Sequence, residues 1–524
     1  MRAERLFRVL GLADPALVEE ALEVRRRRPW KRWAAMAACL ALAAGLGFGW
    51  LASGGFRGYG GMAPEADSGN SGGPSADPGA AGDGLAFLSY AGPVLPLDTL
   101  ENPAGLTAER EVAWDFAPGA NRYGERRQWG ADVTDAYILR NGTEEDVTVT
   151  ALYPFAGNFD SLPEIRPAVA VDGEAVEPEL YAGAYAGGFQ PAFGAEVPDT
   201  LNLEGLDSWE KYKALLESGT YRDQALGEYP ALDIPVTVYE FSEFAAPHGD
   251  YPAATQAVSF DMDPERTAVL TYGFNGMDWE GSFRRYSFFV PDGKRKEPDG
   301  KLLAVLGEDI GEYTLAGYQN GGCHPGEEIA GVSCAVTRSV TTLDALLDRL
   351  CRDYAERYAQ ERAGQENAFD TVPLALYRRA VAELLVQYGA LSGAPKDRYA
   401  EGRLDDMLQE AVVHQRVLYL RFPVTVPAGG SAEVACTLWK EPSYDFGCSG
   451  LEDEGLQGYS LAVRLGSGLA FTRQGAVLAN TENVEITGQD FGFGLESGMA
   501  SVELDLEREH YYLEIRPGKE WLLG

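Results

Sequence analysis

Histidine is rare in this chain. Only four histidines occur among 524 residues, at His248, His324, His414 and His510. None of them has the spacing to another histidine or to a cysteine pair that zinc sites show. The sequence therefore predicts neither a metal site nor a cofactor.

Motifs that carry well-known reactions are also missing. There is no GxSxG elbow, no phosphate-binding P-loop and no GxGxxG in a βαβ context. Cys323 and His324 pair a nucleophile with a base, but adjacent residues seldom face each other productively. Ser208 to Lys211 has the Ser-x-x-Lys spacing of penicillin-recognising enzymes without their companion motifs. These absences favour a non-catalytic protein. The alternative is an exported cell-envelope hydrolase whose carboxylates meet only in space.

Positive charge is scarce relative to negative charge. The chain has 44 lysines and arginines against 80 acidic residues, which gives a formal net charge of -36. Phosphate backbones repel such a surface, so nucleic acid is excluded as a partner. The acidic balance indicates a well-solvated surface.

Cysteines are too few for a disulfide framework, and their number outside one apolar run is odd. Cys39 lies in an apolar run, which leaves five others: Cys323, Cys334, Cys351, Cys436 and Cys448. The pairs 323/334 and 436/448 are close enough in sequence to bond, but buried thiols are the simpler interpretation.

One long apolar run stands out near the N-terminus. Residues 33–51 contain no charge, and as a helix they would span the roughly 30 Å of a bilayer core. Trp33 and Trp50 stand at its two ends, as interfacial indoles do. The cationic residues before it predict a cytoplasmic N-terminus; they are Arg25, Arg26, Arg27, Arg28, Lys31 and Arg32.

This run predicts a single-pass transmembrane helix at residues 33–51, with the lipid bilayer as its partner and the C-terminal body outside the cytoplasm. Cleavage as a signal peptide is the alternative. Small residues recur every four positions along it and form a candidate helix-pairing ridge; they are Ala37, Ala41, Gly45 and Gly49. Residues 1–32 would be a cytoplasmic segment with a short helix from Pro15, open to a regulatory partner.

The N-terminal sequence LFRVLGLADPALVEEALEVRRRRPWKRWAAMAACLALAAG resembles that of a group of bacterial membrane proteins. These are single-pass proteins with an uncharacterised exported β-rich domain, and some resemble sigma-factor-associated, anti-sigma-like proteins. The resemblance covers the first 52 residues, and the zinc-binding histidine and cysteine pattern of one anti-sigma class is missing. It implies an exported domain but no particular activity.

Composition and periodicity divide the remainder of the chain. Residues 52–84 are rich in Gly, Ser and Pro and predict a disordered linker. Residues 85–228 predict a first β-rich module that ends in a helix. Residues 229–524 predict a second, with a helical insert at about 341–415. Asn141-Gly142 lies between two alternating apolar runs and predicts a β-hairpin, and a Pro-Ala-Gly-Gly turn near residue 428 predicts a similar pair of strands.

The predicted fold class is therefore mainly β with an α-helical insert, built as antiparallel β-sandwich-like extracytoplasmic modules behind one transmembrane helix. Apolar stripes at helical spacing mark the insert, from Leu343 to Tyr358, from Leu374 to Tyr388 and from Leu404 to Val412. We expect a non-catalytic binding or sensing domain whose partner is an unknown extracellular ligand or a component of the cell envelope.

Overall fold

Strands dominate the part of the chain that the structure describes. The computed structural model describes residues 91–117, 119–124, 127, 130–183, 209–229, 231–247, 253–291, 300–387, 389–391, 402–445 and 455–518. The prediction of a mainly β chain with several antiparallel sheets and few helices is confirmed for these residues.

The elements are numbered here in chain order. The strands are β1 (Asp98–Thr99), β2 (Leu106–Asp115), β3 (Ala131–Asn141), β4 (Val147–Gly157), β5 (Ala168–Val171), β6 (Glu174–Val176), β7 (Glu179–Ala182), β8 (Pro235–Ala245), β9 (Thr255–Asp261), β10 (Thr267–Tyr272), β11 (Gly276–Glu280), β12 (Phe283–Phe289), β13 (Lys301–Gly307), β14 (Tyr313–Tyr318), β15 (Ser333–Thr342), β16 (Arg416–Val426), β17 (Ser431–Lys440), β18 (Tyr444–Asp445), β19 (Gln457–Ala462), β20 (Ala470–Ala479), β21 (Val484–Gln489), β22 (Ser501–Glu503) and β23 (His510–Pro517). The helices are α1 (Leu162–Ile165), α2 (Trp209–Glu217), α3 (Thr220–Leu226), α4 (Leu343–Glu361), α5 (Leu374–Gln387) and α6 (Leu404–Val413).

The predicted hairpin at Asn141-Gly142 is wrong, although both of its strands exist. β3 pairs with β2 and β17, whereas β4 pairs with β1 and β16, so the turn carries the chain from one sheet to another. β16 and β17 are divided between the same two sheets. β3 and β4 therefore form one β-arch, in which consecutive strands belong to different sheets, and β16 and β17 form another. The two arches pair with each other in antiparallel fashion, β3 with β17 and β4 with β16.

Three sheets are built around these arches. A seven-stranded sheet has the order β22-β20-β2-β3-β17-β5-β6, in which only the β2–β20 pair is parallel. Two four-stranded sheets have the orders β1-β4-β16-β7 and β18-β19-β23-β21. Apolar residues alternate along β3 and β17, and they bury into one cluster with residues of the other two sheets. These pairings join strands on both sides of the predicted module boundary at 228/229.

The chain between the arches forms a separate pair of antiparallel sheets. Their orders are β10-β13-β8-β15 and β11-β12-β9-β14, and aromatic residues such as Phe241 and Phe288 lie in the core that they share. On β8 the odd residues Tyr239 and Phe241 belong to this core. The even residues Val236 and Val238 belong to the cluster that also holds the helices. The first of these two sheets is thus covered on both faces.

Three helices, α4, α5 and α6, follow one another between β15 and β16. α4 begins after Thr342, whose side chain accepts a hydrogen bond from the backbone N–H of Ala345 at 3.2 Å. The predicted apolar stripe of α4 is buried from Leu343 to Cys351, and the whole predicted stripe of α6 is buried. Tyr377 of α5 donates from its hydroxyl to the carbonyl of Leu408 at 2.7 Å, which ties α5 to α6.

The structure contradicts the prediction of a single-pass membrane protein. In the described ranges between residues 91 and 518, no helix is long and apolar enough to cross a membrane. The segment 33–51, on which that prediction depended, lies outside the described residues, as do the residues predicted to flank it or to form its ridge. These are Trp33, Trp50, Arg25, Arg26, Arg27, Arg28, Lys31, Arg32, Ala37, Ala41, Gly45 and Gly49.

Candidate functional site

A cavity of about 350 Å³ opens where α2 and α3 cover one face of the sheet β1-β4-β16-β7. Residues from five parts of the chain meet there: the segment around β1, β4, the α2–α3 turn, β16 and the loop after β19. The lining residues are Leu95, Asp98, Pro154, Leu216, Glu217, Gly219, Tyr221, Arg222, Tyr419, Leu465, Gly466, Ser467 and Gly468.

The local sequence explains how the two helices reach the cavity. Trp209, Tyr212 and Leu215 form the buried face of α2, as their helical spacing predicts. Gly219 then adopts a positive φ of 69°, a conformation that ends one helix and starts the next at low cost for glycine only. The sharp turn places Tyr221 and Arg222, at the start of α3, against the cavity.

The main polar feature of the cavity is the carboxylate of Asp98. Its side chain is only 5% exposed. One oxygen, Oδ1, accepts a hydrogen bond from the backbone N–H of Gly468 at 2.8 Å. The other, Oδ2, accepts one from Nη1 of Arg222 at 3.3 Å. A buried carboxylate needs such partners, because an unpaired charge is costly to bury.

The loop that donates to Asp98 is fixed by its own hydrogen bonds. Ser467 donates from Oγ to the carbonyl of Leu97 at 2.6 Å and accepts from the N–H of Leu469 at 3.2 Å. The Gly468 N–H is therefore directed at the carboxylate before any ligand arrives. This is the preorganised polar contact that binding sites use.

The remaining wall is largely apolar and aromatic. Tyr221 and Tyr419 belong to the same buried cluster as Leu95, beneath α2 and α3. Burial raises the pKa of the Tyr419 phenol, and the nearby charge of Arg222 opposes that shift. Tyr419 is therefore a neutral ring close to both members of the Asp98–Arg222 pair.

A second buried ion pair is structural. Arg110 donates from Nε and Nη2 to the two oxygens of Asp135 at 2.9 and 2.8 Å, and both side chains are fully buried. The hydroxyl of Tyr137 also donates to Asp135, at 2.8 Å. This pair lies inside the core of the arched sheets, and neither residue lines the cavity.

The structure separates the residues of the Cys323–His324 pair. Cys323 is buried and its pKa is raised by desolvation, the opposite of what activates a thiol, whereas the side chain of His324 is exposed. Ser208 lies outside the described residues. In the described part of the chain, no group of three His, Cys, Asp or Glu side chains could hold a metal ion, and Cys323, Cys334, Cys351 and Cys436 are free thiols.

Sequence reasoning missed the residues of this cavity. Asp98, Arg222 and Ser467 lie far apart in the chain and belong to no motif. Only α2 gave a local signal, since its amphipathic stripe and the glycine after it predict the helix and its end. Comparison with protein-family models and with curated proteins finds no match for this chain.

Proposed function

We propose that the protein is a non-catalytic binding protein and that it binds a small ligand in the cavity beside Asp98. The observation that carries the proposal is a buried carboxylate at the wall of a cavity of about 350 Å³. Small-molecule sites have this character: they are concave and mostly apolar, with a few fixed polar groups, and have volumes of about 300–1,000 Å³.

The chemistry of the lining supports binding over catalysis. Among the described residues that line the cavity there is no histidine, cysteine or lysine. The hydroxyl of Ser467 donates a hydrogen bond to the carbonyl of Leu97. The carboxylate of Asp98 accepts from two donors, Arg222 and the N–H of Gly468. Such a site is suited to orienting a ligand through fixed polar groups.

The architecture that we propose for this function is a pair of β-sandwich modules. Two observations support it: the arches divide their strands between facing sheets that bury one apolar cluster, and the sheets of β8 and β9 share a second core. Sheets of this kind give a rigid base on which a cavity between elements keeps its shape.

A cavity-filling substitution tests the proposal. We expect L216W to abolish the binding of small molecules that protect the wild-type protein, because the indole would occupy the cavity that Leu216 lines. The measurement is thermal unfolding across a library of small polar and amphipathic compounds, followed by saturation-transfer NMR of each hit. A ligand at 100 times its Kd stabilises the folded state by about 2.7 kcal/mol, enough to detect.

The matched control is V386W, which places the same indole at an exposed position on α5. Hits that lose protection in L216W and keep it in V386W support the cavity as the site. The proposed function would be contradicted by compounds that protect L216W as strongly as V386W, or by a library without any hit.

A further inference from the structure

We infer that the cavity binds a cation with an apolar body, an ammonium or guanidinium group attached to a hydrocarbon or ring, and that this cation displaces Arg222 from Asp98. The inference deepens the proposed function and rests on it. It follows from the different partners of two buried aspartates, Asp98 and Asp135, from the charge of the cavity, and from its apolar wall.

The two carboxylates hold their arginines very differently. Asp135 binds Arg110 through two short hydrogen bonds, and both residues are fully buried. Asp98 binds Arg222 through one hydrogen bond of 3.3 Å, and the Arg222 side chain is 47% exposed. Two parallel bonds give strength and fix geometry, whereas a single long bond from a half-exposed side chain gives little of either.

Arg222 is therefore an exchangeable partner of Asp98. Its Nε also lies 3.8 Å from Asp223, an exposed carboxylate that can retain the guanidinium outside the cavity. Asp98 has no comparable freedom, because its side chain is buried and its Oδ1 is held by the N–H of Gly468. An incoming cation that binds Oδ2 would neutralise the Asp98 carboxylate in place of Arg222.

The charge of the cavity selects the same class of ligand. Among its described lining residues Arg222 is the one cation, against the carboxylates of Asp98 and Glu217. Once Arg222 swings out, an anionic ligand would meet the buried charge of Asp98, where repulsion is strong, whereas Glu217 is half exposed and lies 3.9 Å from Lys213. A cation would be attracted by Asp98, and the net charge of -36 would assist its approach.

The apolar wall requires more than a simple ion. Leu95, Pro154, Leu465 and the ring of Tyr419 offer contact to a hydrocarbon body. A tyrosine face also attracts cations electrostatically. A hydrated metal ion would use neither feature, so the geometry favours an organic cation.

Three probes of nearly equal shape and different charge test the inference on the full chain. They are 2-phenylethylamine (cationic), 2-phenylethanol (neutral) and 3-phenylpropanoate (anionic), each titrated calorimetrically at low and at high NaCl concentration. We expect the amine to bind most tightly and to weaken with added salt. Removal of the internal competitor in R222Q should tighten amine binding about tenfold, since more of the protein is then competent to bind. D98N should lose amine binding.

Controls keep these variants interpretable. R473Q removes an exposed arginine that pairs with Glu503 in the seven-stranded sheet and should not lower amine affinity. D223N removes the carboxylate that retains the displaced guanidinium and should weaken amine binding. Circular dichroism melts show whether D98N and R222Q remain folded. Preferential binding of 3-phenylpropanoate, weaker amine binding in R222Q, or no binding by any probe would overturn the cationic assignment. Binding of the neutral or anionic probe that L216W abolishes would leave the proposed function standing.

Discussion

Replacing Asp135 by alanine should lower the free energy of unfolding by about 3–5 kcal/mol, the usual cost of removing one partner from a buried ion pair. The substitution would leave the fully buried guanidinium of Arg110 with only the carbonyl of Ala462 at 2.8 Å and the amide oxygen of Gln474 at 3.4 Å. It would also remove the acceptor of the Tyr137 hydroxyl, which itself accepts from the N–H of Leu97. Urea unfolding followed by circular dichroism measures the loss.

An exposed ion pair on the same strands provides the control. Arg140 of β3 donates to Glu109 of β2 at 2.8 Å, but both side chains reach solvent, so E109A should cost only about 0–1 kcal/mol. The double variant R110M/D135L replaces both charges by apolar groups and should recover most of the loss. If D135A costs no more than E109A, the buried pair does not hold the arched sheets together as described.

The helices were predictable because their evidence is local. In α6 the residues Leu404, Met407, Leu408, Ala411 and Val412 occupy one face at helical spacing, and all are fully buried. A period of 3.6 residues fixes which side of a helix faces the core, whatever the core consists of. The same reasoning predicted the buried stripe of α4.

The arches were not predictable because the sequence of a turn does not determine which strand pairs with the strand that follows it. Asn141-Gly142 is typical of tight hairpin turns, yet neither residue adopts the positive φ that such a turn requires. Instead the buried Asn141 amide donates to the carbonyls of Glu145 and Val426, and its N–H donates to the carbonyl of Gly430. Asn141 thus connects the turns of two arches 285 residues apart, a contact with no local signal.

The cavity was missed for a related reason. Its carboxylate is the first residue of a two-residue strand, its arginine lies in a seven-residue helix, and its backbone donor lies in a loop. None of these elements has a periodic pattern that marks a site. The difference between Asp98 and Asp135, both aspartates in strands, is visible only from their partners in space: one long bond to a half-exposed arginine against two short bonds to a buried one.

Acidification should destabilise the fold through His414. This residue caps the C-terminal end of α6, is partly buried, and lies close to the buried cation Arg416. Desolvation and the charge of Arg416 lower its pKa to about 3. His414 is therefore protonated near pH 6.5 in the unfolded chain but only near pH 3 in the folded chain. The stability that neutral His414 provides is complete above pH 6.5 and falls as the pH drops through that window.

The variant H414Q isolates this contribution. Between pH 7 and pH 4 the free energy of unfolding of the wild type should fall by about 3 kcal/mol more than that of H414Q, the expected linkage for one proton over this window. Burial raises the pKa of Glu383, which changes stability with pH in the opposite sense. This contribution is common to both curves and cancels when one is subtracted from the other. Parallel curves for H414Q and the wild type would mean that His414 takes up its proton in the folded state, and that Arg416 does not repel it.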